Sequence, residues 1–542
     1  MPVDIDLLSA PIEPTDPDFV PLLAHLQGNI LKSHGRNHTV DLFLTFKPDY
    51  QGAVRRWLGD FSRRYVTSAL RQLHESAEFK ANGLSGRIFA TVSLSAEGYR
   101  YLKYDTNAFV ERRDPSLTTG VTFAAGMKAA AELKDPAPTG WEFGADDIHV
   151  LVLLADEDPI RLRQVLDRVK TDLDAQGILD HHFEQEGVGI RDESNQPLEH
   201  FGYRDGVSQP LFYRKDVSEE RERFGTSEWD PSAPLRLALV PDPFAPAPES
   251  FGSYLVYRKL EQDVLKFKTL EKELVAELGL QGVEEERAGA LVIGRFENGV
   301  PVERSGSEQA IQFRDFNDFN YHDDLQAARC PFQAHIRKTN PRGDTARVRI
   351  PGLTDPDAIA QTDAGEQGRR ITRRGITYGD RETNAMGQLI RPGLTDTGEL
   401  NPAIEGEVGL LFQCYQGSIP DQFGFMQKAW VNAVDFASAT PPDFTGIDPI
   451  IGQTTAGDVN AQAEDFADGS PATPLLHQWP LRYDDATAKV PFNFGDVVRL
   501  RGGEFFFTPS VSFLTSFGKA NRSVQEDVAE QERRIVPNRT AE

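Results

Sequence analysis

"CPFQAHIRKTNPR", residues 330–342, sets one histidine, His335, between an apolar Cys-Pro-Phe entry and an exit carrying Arg337, Lys338 and Arg342. An imidazole in aliphatic and aromatic company can ligate one face of a haem iron and leave the other face open to a small oxidant. The neighbouring cations would then meet the two haem carboxylates, a task that suits the planar, bidentate fork of Arg. The same residues also describe an exposed strand decorated with solvated charges, and the stretch alone does not choose between the two.

Two further stretches hold chemistry-bearing side chains. In "FGYRDGVSQP" (201–210), Gly202 and Gly206 bracket Tyr203, Arg204 and Asp205. Glycine lets a backbone approach a flat ligand closely, and the acid between the two can be aimed at it; an ordinary turn has the same composition. In "ITRRGITYG" (371–379), β-branched residues surround Arg373 and Arg374. Strand alternation would send one arginine toward an anion and its neighbour to solvent, although two solvated arginines fit as well.

The elements that must position these residues follow from hydrophobic periodicity. Leu22, Leu23, Leu26 and Ile30 recur at helical spacing, and "VDLFLTF" (40–46) and "RIFATVSLS" (87–95) read as strands. From Ile148 an apolar strand leads to Asp158 as N-cap and Pro159 at the first helical position, with Leu162, Val165, Leu166 and Val169 as the stripe of the helix that follows. The second half repeats this grammar. "GSYLVYRKL" (252–260) reads as strand, 261–280 as a charged helix, "EVGLLFQCYQ" (407–416) as strand, and 418–430 as a helix with Ile419, Phe423, Met426 and Trp430 on one face. "GGEFFFTPSVSFL" (502–514) reads as a last strand. The charged, Pro-rich run at 215–250 reads as a long surface connection. An α+β protein of two similar sheet-and-helix lobes is expected, 1–245 and 246–517, with a polar tail at 518–542.

Composition narrows the function classes. With 58 Lys and Arg against 83 Asp and Glu in 542 residues, the net charge is −25, which disfavours nucleic acid and anionic membranes and requires any bound anion to sit in a local basic pocket. Two cysteines, Cys330 and Cys414, support neither a disulfide framework nor a structural metal site. The N-terminus lacks a basic, then apolar, export pattern, and no run approaches a membrane span, so a cytoplasmic location is the simplest expectation, with leaderless export left open.

The three stretches together resemble the dye-decolourising peroxidases, a family of haem enzymes. "GYRDG" is similar to the family's Gly-x-x-Asp-Gly signature, "CPFQAHIRKTNPR" to its axial-histidine motif and "TRRGITYG" to its distal-arginine motif, in the same order. "LQGNILKSHG", "GLLFQCYQGSI", "DPIIGQ" and "RGGEFFFTPSVSFL" resemble further landmarks, closest to the longer fungal and bacterial members.

The resemblance implies two ferredoxin-like lobes, haem b in the C-terminal one, and His335 as the iron ligand through Nε2. Asp448 is the first choice for the acid that receives its other ring nitrogen and Asp496 the second; Arg337 leads as propionate partner. Asp205 and Arg373 are implied as the peroxide-handling pair on the opposite haem face, with Gly206 beside them and Leu410 and Phe412 closing the pocket against bulky molecules. The activity implied is oxidation of dyes, phenolics or other bulky donors by hydrogen peroxide through a high-valent iron-oxo state. Haem handling of a deferrochelatase kind, or haem sensing with residual peroxidase activity, is the alternative.

Overall fold

The computed structural model describes residues 11–112, 120–192, 194–308, 316–348, 350, 352–379, 408–436, 445–453 and 477–517. The polar tail expected at 518–542 lies outside them. β1 (His38–Phe46) leads through helices α1 (Gln51–Tyr65) and α2 (Ala69–Asn82) to β2 (Phe89–Ser95) and β3 (Val150–Asp156). Helix α3 (Pro159–Gln176) then returns the chain to β4 (Leu179–Val188). In the second half β5 (Phe251–Gln262), α4 (Val264–Leu278), α5 (His335–Thr339), β6 (Ile376–Tyr378) and β7 (Gly409–Gln416) follow. A wide-turn helix in two segments, Pro420–Gly424 and Met426–Val431, and β8 (Val498–Thr508) complete it.

The strands form one ten-stranded antiparallel sheet whose main path runs β6-β7-β5-β8-β2-β3-β1-β4. Each half therefore has the same internal order, second strand, third, first, fourth, which is the ferredoxin-like pattern. The halves join where β8 pairs with β2 through Phe506–Ser95 and Phe507–Leu94. At the other end β6 comes against β4, where the Thr377 hydroxyl donates to the Val188 carbonyl. A Cβ on Gly187 would lie 2.7 Å from Ile376 Cγ2, so glycine is what permits this approach.

Apart from β4, which is polar and mostly exposed or half-buried, the strands are buried on both faces, which is why they read as continuous apolar runs. Val40, Leu42, Leu44 and Phe46 pack with Trp57, Leu162 and Val165 beneath the helices, while Phe43 faces a second core with Leu255, Tyr257, Leu411 and Phe506. The α3 stripe is buried as periodicity predicts, and Asp158 caps the helix by accepting from the backbone N–H of Ile160 and Arg161.

Four local expectations are corrected. The first helix stops at His25 instead of running on to Ile30, although Leu26 and Ile30 stay buried. The 215–250 run is not a surface connection: Arg214–Phe224 is helical, and Leu235, Leu237 and Leu239 are core residues between its prolines. The last strand ends at Thr508, and after Pro509 the Ser510 hydroxyl caps a short helix, Val511–Ser516. Arg374 does not reach solvent; its guanidinium donates to the carbonyls of Asn29, Ile30 and Arg373. Among the described residues no helix is long and apolar enough to cross a membrane.

Asp41 of β1 is fully buried, accepting from Tyr257 Oη of β5 at 2.7 Å and from Gln413 Nε2 of β7 at 3.3 Å. Burial pushes its carboxyl up to about 7, against the Tyr257 hydrogen bond, which acts to lower it. The folded state thus holds a proton that the unfolded chain releases near pH 4, and stability falls as pH rises through that window. Asp41→Asn has no such proton to lose. Its stability relative to the parent, measured by urea unfolding, should rise by up to ~1.4 kcal/mol per pH unit between about pH 4 and 7 and level off above.

Candidate active site

The 335–339 segment is a one-and-a-half-turn helix, and this decides which of its cations can serve the site. Arg337 stands two residues, about 200°, round α5 from His335 and points away from it. It is fully buried: Nε and Nη2 make a bidentate pair with Asp344 at 2.7 and 2.8 Å, and Nη1 reaches Asp324 Oδ2 at 2.8 Å. Cys330 O and Asp324 O take further N–H groups, and Tyr321 and Phe332 cover the two faces. This corrects the expectation of Arg337 as a propionate partner, because its donors are spent inside the protein. Arg337→Ala leaves two buried carboxylates without their cation and should cost about 3–5 kcal/mol of unfolding free energy by chemical denaturation.

His335 itself opens on a large cavity, about 1800 Å³ of empty space counting its mouth. Its Nδ1 is 2.8 Å from Asp448 Oδ2, and that carboxyl is wholly buried. Asp448 Oδ1 accepts from the backbone N–H of Ile450 and Ile451 at 2.8 and 3.0 Å. Burial acts to raise the Asp448 carboxyl, but the His335 imidazole and these N–H groups outweigh it and hold it below the usual carboxylate range. The pairing turns Nδ1 inward and leaves Nε2 for the cavity. Asp496, the second choice, is an exposed partner of Lys266 at 2.7 Å. Lys338 is also buried, giving its N–H groups to the carbonyls of Trp430 and Ala433, and burial pushes its ammonium down to about 7.

Asp205 and Arg373 line the same cavity. Asp205 Oδ1 accepts from Gly206 N at 2.6 Å and from Arg373 Nη1 at 3.3 Å, and Oδ2 has no hydrogen-bond partner among the described residues. Gly206 sits at φ +73°, a conformation glycine adopts without cost, and this turn presents the carboxylate to the cavity. Arg373 comes from the far side of the chain, on a two-residue strand pairing with β7, and its Nη2 also donates to Val207 O at 3.0 Å. Leu410 and Phe412 of β7 share the lining with Leu260, Phe423 and Met426, an apolar wall beside the polar groups.

The cavity of this acidic protein is notably basic. Among its arginines, Arg204, Arg258 and Arg373 pair with Asp192, Asp135 and Asp205. Arg295, Arg342 and Arg370 make no ion pair among the described residues and donate only to neutral oxygens, such as the carbonyls of Gly299, Phe319 and Ser232. Burial draws these three down to about 10, 9 and 10. Unpaired buried cations around a cavity fit a ligand that brings carboxylates of its own. Together with a histidine whose Nε2 faces the space, this donor set fits haem.

Arg295 and Arg370 are the residues that sequence reasoning missed, whereas Arg342 is the one of the three cations expected beside His335 that lines the cavity. Arg342 was visible as the last cation of the histidine stretch. The signal for it is the Asn-Pro that ends α5 and turns the chain back, leaving Arg342 itself at φ +46°. Arg295 lies in a region without any pattern, and Arg370 precedes the arginine motif without belonging to it.

No family model matches the chain. It is 37% identical over 529 residues to the multifunctional dye peroxidase DyP2 of an Amycolatopsis species, across 95% of this chain and 100% of that one. Peroxidase 2 of Mycetinis scorodonius is 30% identical over 418 residues, covering 72% of this chain and 70% of its own length. The crystal structure of a DyP-type peroxidase from Anabaena superposes with a TM-score of 0.79 at 36% identity, covering 96% of this chain and all of that one. With the histidine–aspartate pair, the aspartate–arginine pair and the basic cavity in place, these relationships show that the chain belongs to the dye-decolorizing peroxidase family, a family of haem proteins.

Proposed function

We propose that this protein is a haem b peroxidase that reduces hydrogen peroxide and oxidises dyes, phenolics or comparable aromatic donors. The observation that carries the reading is the coexistence, in one cavity, of a histidine with Nδ1 fixed by a buried carboxylate and of an aspartate in contact with an arginine.

Bound haem supplies a redox-active iron that can take two oxidising equivalents from peroxide. In this reading His335 holds it through Nε2. Asp448 keeps the ring proton on Nδ1 and makes the imidazole a stronger donor. Arg342, Arg295 and Arg370 are the cations for the two propionates, in place of Arg337. Asp205 Oδ2 takes a proton from one peroxide oxygen and delivers it to the other, which departs as water. Arg373 orients peroxide and offsets negative charge that develops as the O–O bond breaks. Overall, one peroxide and two donor molecules that each give up one electron and one proton yield two waters and two donor radicals. The apolar wall of Leu410, Phe412 and Phe423 favours a small oxidant inside, so bulky donors give up electrons at the surface.

A haem-handling or sensing role is not favoured. Binding alone needs no acid placed beside an arginine at the cavity.

Asp205→Ala and Arg373→Ala should retain haem and react with peroxide about 10²–10⁴-fold more slowly in stopped-flow spectra; parental rates in both would overturn the assignment. His335→Ala should lose the haem absorption band on desalting, and Arg342→Ala should release haem faster than the parent to a haem-scavenging protein. Full retention by both variants would remove these residues from the cofactor site.

A further inference from the structure

We propose that Ser208 is a positioning residue whose hydroxyl straps the Asp205 loop to Arg342, coupling an anion held at Arg342 to the placement of Asp205. The coupling rests on the cofactor reading above, whereas the strap itself is a feature of the protein alone.

Ser208 and Arg342 are both non-glycine residues in the left-handed region, at φ +65° and +46°. Backbone in that region persists only where its surroundings over-determine it, and such positions cluster at functional sites. Here the two strained residues meet: Arg342 Nη2 donates to Ser208 Oγ at 2.9 Å.

The guanidinium at the other end is locked. Trp229 and Phe319 cover it, with ring centroids 4.6 and 4.1 Å from Cζ. Nη1 donates to Asn317 O and Phe319 O at 2.9 and 2.7 Å, and the second Nη2 hydrogen goes to Asn317 Oδ1 at 3.1 Å. Among the described residues Nε–H is the one donor without a protein acceptor. An anion can therefore dock on Nε without displacing Ser208, and the strap helps aim the guanidinium for it.

From the opposite side the loop is gripped by Arg373. Its Nη2 donates to Val207 O at 3.0 Å and Ser208 O at 3.4 Å, and its backbone N–H donates to Gln209 Oε1 at 3.2 Å. Residues 206–209 thus hang between two arginines, beyond the Asp205 N–H, which donates to the Pro197 carbonyl at 3.0 Å. The Asp205–Arg373 contact at 3.3 Å lies at the long end of the hydrogen-bond range, so a small drift of the loop breaks it. The strap also runs from the loop to the segment that carries His335, since Arg342 follows α5 by a single turn of chain. Whatever anion settles on Arg342 is then felt at Asp205, and the reverse holds by linkage.

The test uses Ser208→Ala, which removes the hydroxyl and keeps the strained φ, and Ser208→Gly, which removes both. In haem-free protein, amide exchange at 206–209 should be about tenfold faster in both variants, the fold-change of one lost charge-assisted hydrogen bond. Unchanged exchange overturns the strap, whatever the cofactor proves to be. In haem-loaded protein, haem should slow exchange at 206–209 in the parent and not in Ser208→Ala. The alanine variant should also react with peroxide about tenfold more slowly at equal haem occupancy, raising the KM for peroxide more than it lowers kcat.

A purely structural role is separated by the Asp205→Ala background, where adding Ser208→Ala should slow the peroxide reaction no further. An equal slowing in both backgrounds overturns the positioning role. A parent that takes up no haem refutes the cofactor reading instead and leaves the exchange result to judge the strap.

Discussion

A single hydrogen bond gives the cavity its direction. Asp448 is buried, satisfied on one oxygen by two backbone N–H groups, and on the other fixes Nδ1 of His335. A carboxylate so enclosed remains charged only because a donor faces it, and the imidazole is oriented only because the carboxylate cannot move. With the ring so held, Nε2 is the nitrogen that faces the open space, and the other polar groups of the cavity acquire their meaning from that fact.

Charge is distributed to match. The chain carries a net charge of −25, yet the cavity gathers six arginines, three of them lacking a carboxylate partner among the described residues. Leaving guanidinium groups buried and unpaired opposes folding. Such an arrangement is sustainable where a ligand completes it, and the haem of the proposed function would do so with its two carboxylates while its ring met the apolar wall. Protein stability and cofactor retention are thereby linked, since the ligand that binds only the folded state stabilises it.

Much of this was legible in the sequence where local rules govern. The strand–Asp-Pro–helix unit at 148–176 reads correctly because capping and periodicity agree there, and Asp205, His335, Arg373 and Asp448 stand in short motifs. The errors share a physical origin in neighbours distant along the chain. Arg337 looked available because Asp324 and Asp344 are not seen as its partners until α5 is known to be a helix with that residue on its back. Arg374 looked solvated because two of its three acceptors are carbonyls more than three hundred residues away. The 215–250 run looked like a linker because prolines and charges hide Leu235, Leu237 and Leu239, which are core only in the assembled structure. Arg295 and Arg370 carry no local signal, since what marks them is the lack of a carboxylate across a cavity.

The position of β8 has a temporal consequence. This strand, Val498–Thr508, is the last of the main strands to leave a ribosome, yet it lies mid-sheet, hydrogen-bonded to β5 on one side and to β2 on the other. A nascent chain that already displays Asp205, His335 and Arg373 therefore lacks the strand that joins its two halves, and the chamber lined in part by Val498 and Leu500 has a missing wall. The cavity is thus completed only when this C-terminal strand takes its place between the two halves, so closing the sheet and closing the cavity are one event.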